Sequence, residues 1–272
     1  MNLFNIIENL NLEKIDQEEF LKPALRRGLF KKAGDYSLKA ALASIPFAAM
    51  ALPAIVKAAG NDTNIDVLNY ALTLEYLEAA FYAQGLSSAG LIPSSDVAIF
   101  KQISQHENAH VSFLKSALGS AAVPSPKFDF TGGKDGSVSP APFADVFSNY
   151  ATFLALAQGF EDTGVRAYKG RAGDISNKDY LTVALQIHSV EARHAAEVRR
   201  LRMQKGWISQ KSTDVAALQP VYDGEQNLNQ GGVNIQQISS LSTISVDNLT
   251  EAFDEPLDSN SVLAIAGLFI YQ

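Results

Sequence analysis

From Ile65 onward, apolar residues return at every third or fourth position, the spacing that lines one face of a helix. The spacing predicts a first helix over Ile65–Gly85, "IDVLNYALTLEYLEAAFYAQG". Ser94, Ser95 or Asp96 can cap a second, which runs to Leu118 and stops at Gly119. Residues 119–143 lose the period and are rich in Pro, Gly and Ser, the composition of a connection. A third helix is predicted over Ala144–Arg171 and a fourth over Asn177–Gln204. The first-to-second and third-to-fourth links are short, so each pair should fold as an antiparallel hairpin. The middle link is long enough to travel the length of a bundle. After Gly206 the period lapses into Gln, Asn, Ser and Gly. It returns as a short helix over Val246–Phe253 and a final apolar helix capped by Ser259 or Asn260, "VLAIAGLFI". That last segment is too short to span a membrane and should pack on the bundle or on a partner chain.

Ahead of the bundle, residues 1–24 look helical. They are followed by Arg26, Arg27, Lys31 and Lys32, then an almost uncharged run from Ala40 to Val56. Twin arginine, basic flank, apolar run and small residues make up a secretory pattern, which implies export to the periplasm. Pro46 and Pro53 break the run, so it is not a stable membrane span. The alternative is an ordinary buried N-terminal helix in a cytoplasmic protein. The organisation expected is an N-terminal segment over 1–60, a helical bundle over 61–206, and a polar linker with a helical tail over 207–272.

Composition narrows the chemistry. The chain has 272 residues, of which 47% are hydrophobic and 19% charged, so a sizeable core is within reach. The net charge of −7 argues against nucleic acid as a partner and suits metal cations. With no cysteine, disulfides, thiolate metal sites and cysteine nucleophiles are excluded together.

Four histidines remain, and two of them stand three residues after a glutamate, in "HENAHVSFL" and "EARHAAEVRRLR". "QISQHENAH" at 102–110 matches "QIHSVEARH" at 186–194 in its Gln-Ile, Glu and His positions. "EYLEAAFY" at 75–82 lines up with "EDTGVRAY" at 161–168, each running from Glu to Tyr. One hairpin therefore repeats the other. Glu and His three apart project from one helix face. The two pairs Glu107–His110 and Glu191–His194, with Glu75 and Glu161 from the other two helices, make four carboxylates and two imidazoles. That set suits two divalent ions of iron or manganese type. Glu78 aligns with Gly164 and is the weaker candidate on its helix. His188 shares a face with Glu191 but aligns with Ser104, which makes it a packed histidine before a ligand. His106 points about 100° from Glu107 and reads as surface or capping. Tyr82 and Tyr168, two turns from Glu75 and Glu161, are placed to hydrogen-bond a ligand or to donate an electron.

At this point the stretch from about 62 to 205 resembles the ferritin-like domain of the desiccation-related type. "LNYALTLEYLEAAFY", "HENAHVSFL", "GFEDTGVRAYKG" and "EARHAAEVRRLR" carry the resemblance. It implies an all-α fold: an up-down four-helix bundle of two hairpins joined by a long crossover, with N- and C-terminal extensions. It also implies Glu75, Glu107, His110, Glu161, Glu191 and His194 as metal ligands. The expected function is a dimetal protein, of iron or manganese, acting on peroxide or oxygen or oxidising iron. The alternative is a non-enzymatic, stress-protective or structural bundle in which the metal only stabilises the fold. Iron storage would need a closed shell of many subunits, which the end segments disfavour; a homo-oligomer or pairing with a related subunit is expected.

Overall fold

A computed structural model describes residues 63–134 and 136–271, and the N-terminal signal-like segment lies outside the described residues. Four long helices dominate: α1 Thr63–Ser87, α2 Val97–Leu118, α3 Tyr150–Arg171 and α4 Lys178–Leu201. α1 packs along α2 and α3 along α4, and the two hairpins meet largely through α1 and α3. Residues 119–149 make the crossover between them. This is the all-α bundle of two hairpins and a long crossover that the periodicity predicts and the resemblance implies.

The ends of the helices follow local chemistry. Asn177 caps α4 by accepting from the backbone N–H of Asp179 and Tyr180. Asp96 sits at the N-cap position of α2 without capping it, because its carboxylate accepts instead from the Tyr150 hydroxyl at 2.7 Å. α3 begins six residues later than its apolar pattern suggests. Asn149 caps it through the N–H of Ala151, while Phe143 and Val146 of the preceding turns are buried in the core. α4 ends at Leu201, where Met203 turns into the left-handed region at φ 56°.

α3 carries an uninterrupted run of buried residues from Phe153 to Tyr168. A helix buried all round needs neighbours on every side. The bundle covers one side and the C-terminal segment covers the other. That segment contains α5 Gln219–Tyr222, α6 Val246–Thr250 and α7 Ser259–Ala266. It also supplies a strand, Ile270–Tyr271, antiparallel to Lys127–Phe128 of the crossover. Leu218, Val221, Tyr222, Leu257, Val262, Ile265 and Phe269 share one apolar cluster with Phe81, Phe153 and Phe160 of the bundle.

Gln158, Asp162 and Arg166 form a polar stripe at four-residue spacing on α3, and the tail docks on it. The Tyr222 hydroxyl donates to Asp162 at 2.8 Å and accepts from Gln158 at 3.0 Å. Asp162 is also paired with Arg199 of α4. Arg166, with no exposed surface, donates to the carbonyls of Val221, Asp223 and Glu255 and pairs with Glu225 at 2.8 Å. Each polar group that the tail buries on α3 thus has its partner in place, which keeps the burial from being costly. The final apolar helix, α7, packs on α3 of its own chain. Among the described residues no helix is long and apolar enough to cross a membrane.

Candidate metal centre

A second apolar cluster, built on Leu68, Leu72, Leu114 and Ile187, fills the opposite end of the bundle. Between the two apolar clusters lies a layer of ionisable side chains. Glu75 and Glu78 come from α1, Glu107 and His110 from α2, Glu161 from α3, and Glu191 and His194 from α4. Glu75, Glu107, Glu161 and Glu191 have no exposed surface, and His194 is 5% exposed.

The repeat brings these groups together in a near-symmetric way. His110 Nδ1 lies 3.1 Å from Glu75 Oε2, 3.2 Å from Glu107 Oε2 and 3.2 Å from Glu191 Oε1. His194 Nδ1 lies 2.9 Å from Glu107 Oε1, 3.3 Å from Glu161 Oε2 and 3.8 Å from Glu191 Oε2. Glu107 and Glu191 therefore present one oxygen to each histidine, whereas Glu75 faces only His110 and Glu161 only His194. The outer oxygens of the two terminal glutamates are held crosswise. Tyr168 donates to Glu75 Oε1 and Tyr82 donates to Glu161 Oε1, each tyrosine reaching the other hairpin.

Two overlapping groups result. One ligand atom from each of Glu75, Glu107, His110 and Glu191 lies within 4.8 Å of all the others; the same holds for Glu107, Glu161, Glu191 and His194. The fit to metal can be judged from hydrogen bonding. Glu107 Oε1, Glu161 Oε2, both oxygens of Glu191 and His194 Nδ1 are buried without an aligned hydrogen-bond partner. Orphaned buried polar atoms are rare in native proteins. Here Glu107 Oε1, Glu161 Oε2 and Glu191 Oε2 converge on His194 Nδ1 at ion-pair distance without hydrogen-bond alignment, as ligand atoms do around a shared ion, and Glu191 Oε1 faces His110 Nδ1 at 3.2 Å. Hard carboxylates with borderline imidazoles suit iron or manganese. The two overlapping groups could hold a pair of metal ions, with Glu107 and Glu191 common to both.

The electrostatics agree. Burial, and then neighbouring carboxylates, push the carboxyls of Glu75, Glu78 and Glu161 well above their usual range. Burial acts on Glu191 too, but the His110 and His194 rings beside it hold it down at about 2. Burial opposes a charge on His110, yet the carboxylates around its Nδ1 push it up to about 12, and His194 is raised likewise. Protons held on these carboxyls and imidazoles offset the charge of the layer, and a bound metal cation would displace them. Burial first, then the adjacent glutamates, raise Tyr82 and Tyr168, so both remain phenols that donate.

Glu78 and His188 stand apart from both groups. Glu78 is 3% exposed and fills the space left by Gly164, where a Cβ would lie 3.3 Å from Glu78 Oε1 and 3.5 Å from Glu191 Oε2. His188 Nδ1 lies 3.0 Å from the carbonyl of Val165 and holds α4 against α3. His106 is not the surface or capping residue that its helical angle suggests: its Nδ1 lies 2.9 Å from His194 Nε2. The readable signal was its four-residue spacing from His110, which puts both on one stripe of α2.

No curated protein matches the chain. A ferritin-like domain model matches residues 63–204, the stretch that carries the four long helices and all six grouped side chains. The chain belongs to the ferritin-like domain family.

Proposed function

We propose that the protein binds two divalent iron or manganese ions and uses them in redox chemistry, with peroxide or oxygen as oxidant or Fe²⁺ as the species oxidised. Glu75, Glu107, His110 and Glu191 would hold one ion, and Glu107, Glu161, Glu191 and His194 the other. When bound, such a pair supplies electrons in twos and a Lewis-acidic place for a small oxidant. The chain's own residues do the rest. Glu107 and Glu191, each with one oxygen toward each histidine, would be shared between the ions. Tyr82 and Tyr168 fix the terminal carboxylates by donating to their outer oxygens. The two apolar clusters on either side exclude bulk water and strengthen every charge interaction in the layer. The observation that carries the proposal is that both bridging glutamates split their oxygens between two histidines. A role in stress or desiccation tolerance belongs to the same reading, through the family type that the sequence resembles.

Elemental analysis of the protein from its native host tests it. About two Fe or Mn per chain are expected, and they should be lost in Glu107→Ala, Glu191→Ala while the helical signal is retained. Absence of metal from both proteins would refute the reading. A second reading, a purely structural metal, is favoured by the way each ion would draw ligands from both hairpins. Bound metal without peroxide turnover or iron oxidation above the buffer rate would select it.

A further inference from the structure

The repeat pairs Glu107 with Glu191 and His110 with His194, so residue 106 of α2 corresponds to Val190 of α4. The glutamines one turn earlier, Gln102 and Gln186, also correspond. His106 therefore has no imidazole counterpart on the other hairpin. Its Nδ1 lies 2.9 Å from Nε2 of His194, the nitrogen opposite the one that faces the carboxylates. The two rings are 11° from parallel with centroids 5.2 Å apart. With the nitrogens only 2.9 Å apart, that separation means an edge-to-edge contact near one plane, the geometry of an N–H···N bond.

The directions of the bonds follow from the ligand role of His194. If Nδ1 gives its lone pair to an ion, the ring proton is on Nε2 and is donated to His106 Nδ1. His106 then carries its own proton on Nε2, 2.7 Å from the side-chain amide of Gln102. That amide accepts once it is turned over to present its oxygen, an isosteric change. Gln102 is exposed, so the chain Gln102–His106–His194 runs from the surface to the candidate centre. On the other side, Val190 has no acceptor, and His110 Nε2 has no protein partner among the described residues.

We infer that His106 is a positioning residue that fixes the tautomer and ring plane of His194, so that the ion on the His194 side is bound more tightly than its twin. This rests on the two-ion reading above. It makes a centre that looks symmetric in its ligands unequal in its ions, and it predicts that they load in order.

The test is calorimetric titration of the full chain, freed of metal by chelation, with Mn²⁺. Each variant is melted first, so that only folded protein is compared. In a His110→Ala background, which leaves the His194-side group complete, adding His106→Ala should weaken Mn²⁺ binding by about 10–100-fold. In a His194→Ala background the same substitution should change nothing. His106→Gln, which keeps an acceptor, should restore part of the loss. Moving the histidine, by Val190→His with His106→Val, should transfer the tighter site to the His110 side, an effect that a merely structural role would not produce. Equal weakening in both backgrounds, or none in either, overturns the inference and leaves the two-ion reading intact. A protein that binds no Mn²⁺ with all residues in place overturns both.

Discussion

Arg166 holds the C-terminal segment to α3, and removing its charge should separate them. Its guanidinium donates to three tail carbonyls and pairs with Glu225, which is 1% exposed. Arg166→Met keeps most of the stem and leaves those acceptors and a buried carboxylate without a counter-charge. Breaking a buried pair from one side costs about 3–5 kcal/mol. For a domain of this size that is a fall in melting temperature of roughly 6–20 °C. Glu225 limits the damage by taking up a proton. Burial already pushes it up to about 7 against the pull of Arg166, and without Arg166 it rises further. A carboxyl whose folded pKa lies above its unfolded value gives stability that is fully present below the unfolded value and lost as pH rises through the folded one. The deficit relative to wild type should therefore be largest at pH 9 and smaller at pH 5, where only the three carbonyls left without a donor still count. Melts at both pH values, with limited proteolysis of residues 207–271, measure it. Arg166→Met with Glu225→Leu removes the charge altogether and should recover part of the loss and flatten its pH dependence. If Arg166→Met melts within about 2 °C of wild type at pH 9 with a protected tail, the anchoring argument is wrong.

Metal binding should expel protons: His110 is pushed up to about 12, His194, Glu75 and Glu161 are also raised, and each must give up its proton to ligate. Affinity should then rise with pH, about tenfold per unit for each proton released, and calorimetry should give different heats in buffers of different ionisation enthalpy. Identical heats would count against it. In Gly170→Ala the new Cβ would stand 1.9 Å from the backbone oxygen of Leu257, so α3 and the tail must part. A loss of about 1–3 kcal/mol is expected in urea unfolding. Tyr82→Phe leaves Glu161 Oε1 without its donor and Tyr168→Phe does the same to Glu75 Oε1, each at about 1–3 kcal/mol. Mn²⁺ titration should show weakening on the His194 side for the first and on the His110 side for the second.

The bundle was legible because α1 to α4 each keep an apolar period over more than five turns, and because the hairpins repeat. The repeat also singled out Glu75 over Glu78, and the structure puts Glu75, not Glu78, within the His110 group. What could not be read was anything set by how one hairpin faces the other. His106 meets His194 across the bundle, a contact 88 residues long that no helical wheel contains. Gln158, Asp162 and Arg166 look like the solvent stripe of an amphipathic helix. They are buried because Tyr222, Val221, Asp223 and Glu225 arrive from an aperiodic segment with no pattern to announce them.

The two shared glutamates also bear on how the halves of the molecule stay together. Without metal, Glu75, Glu107, Glu161 and Glu191 bring carboxyl groups from both hairpins into one dry layer, where protons on Glu75, Glu161, His110 and His194 offset their charge. With cations, the same oxygens become cross-links between helices that are far apart in sequence. Cohesion of the bundle is then set by mass action and deepens with the free ion concentration. In that sense the supply of metal acts as an adhesive whose strength the surroundings control.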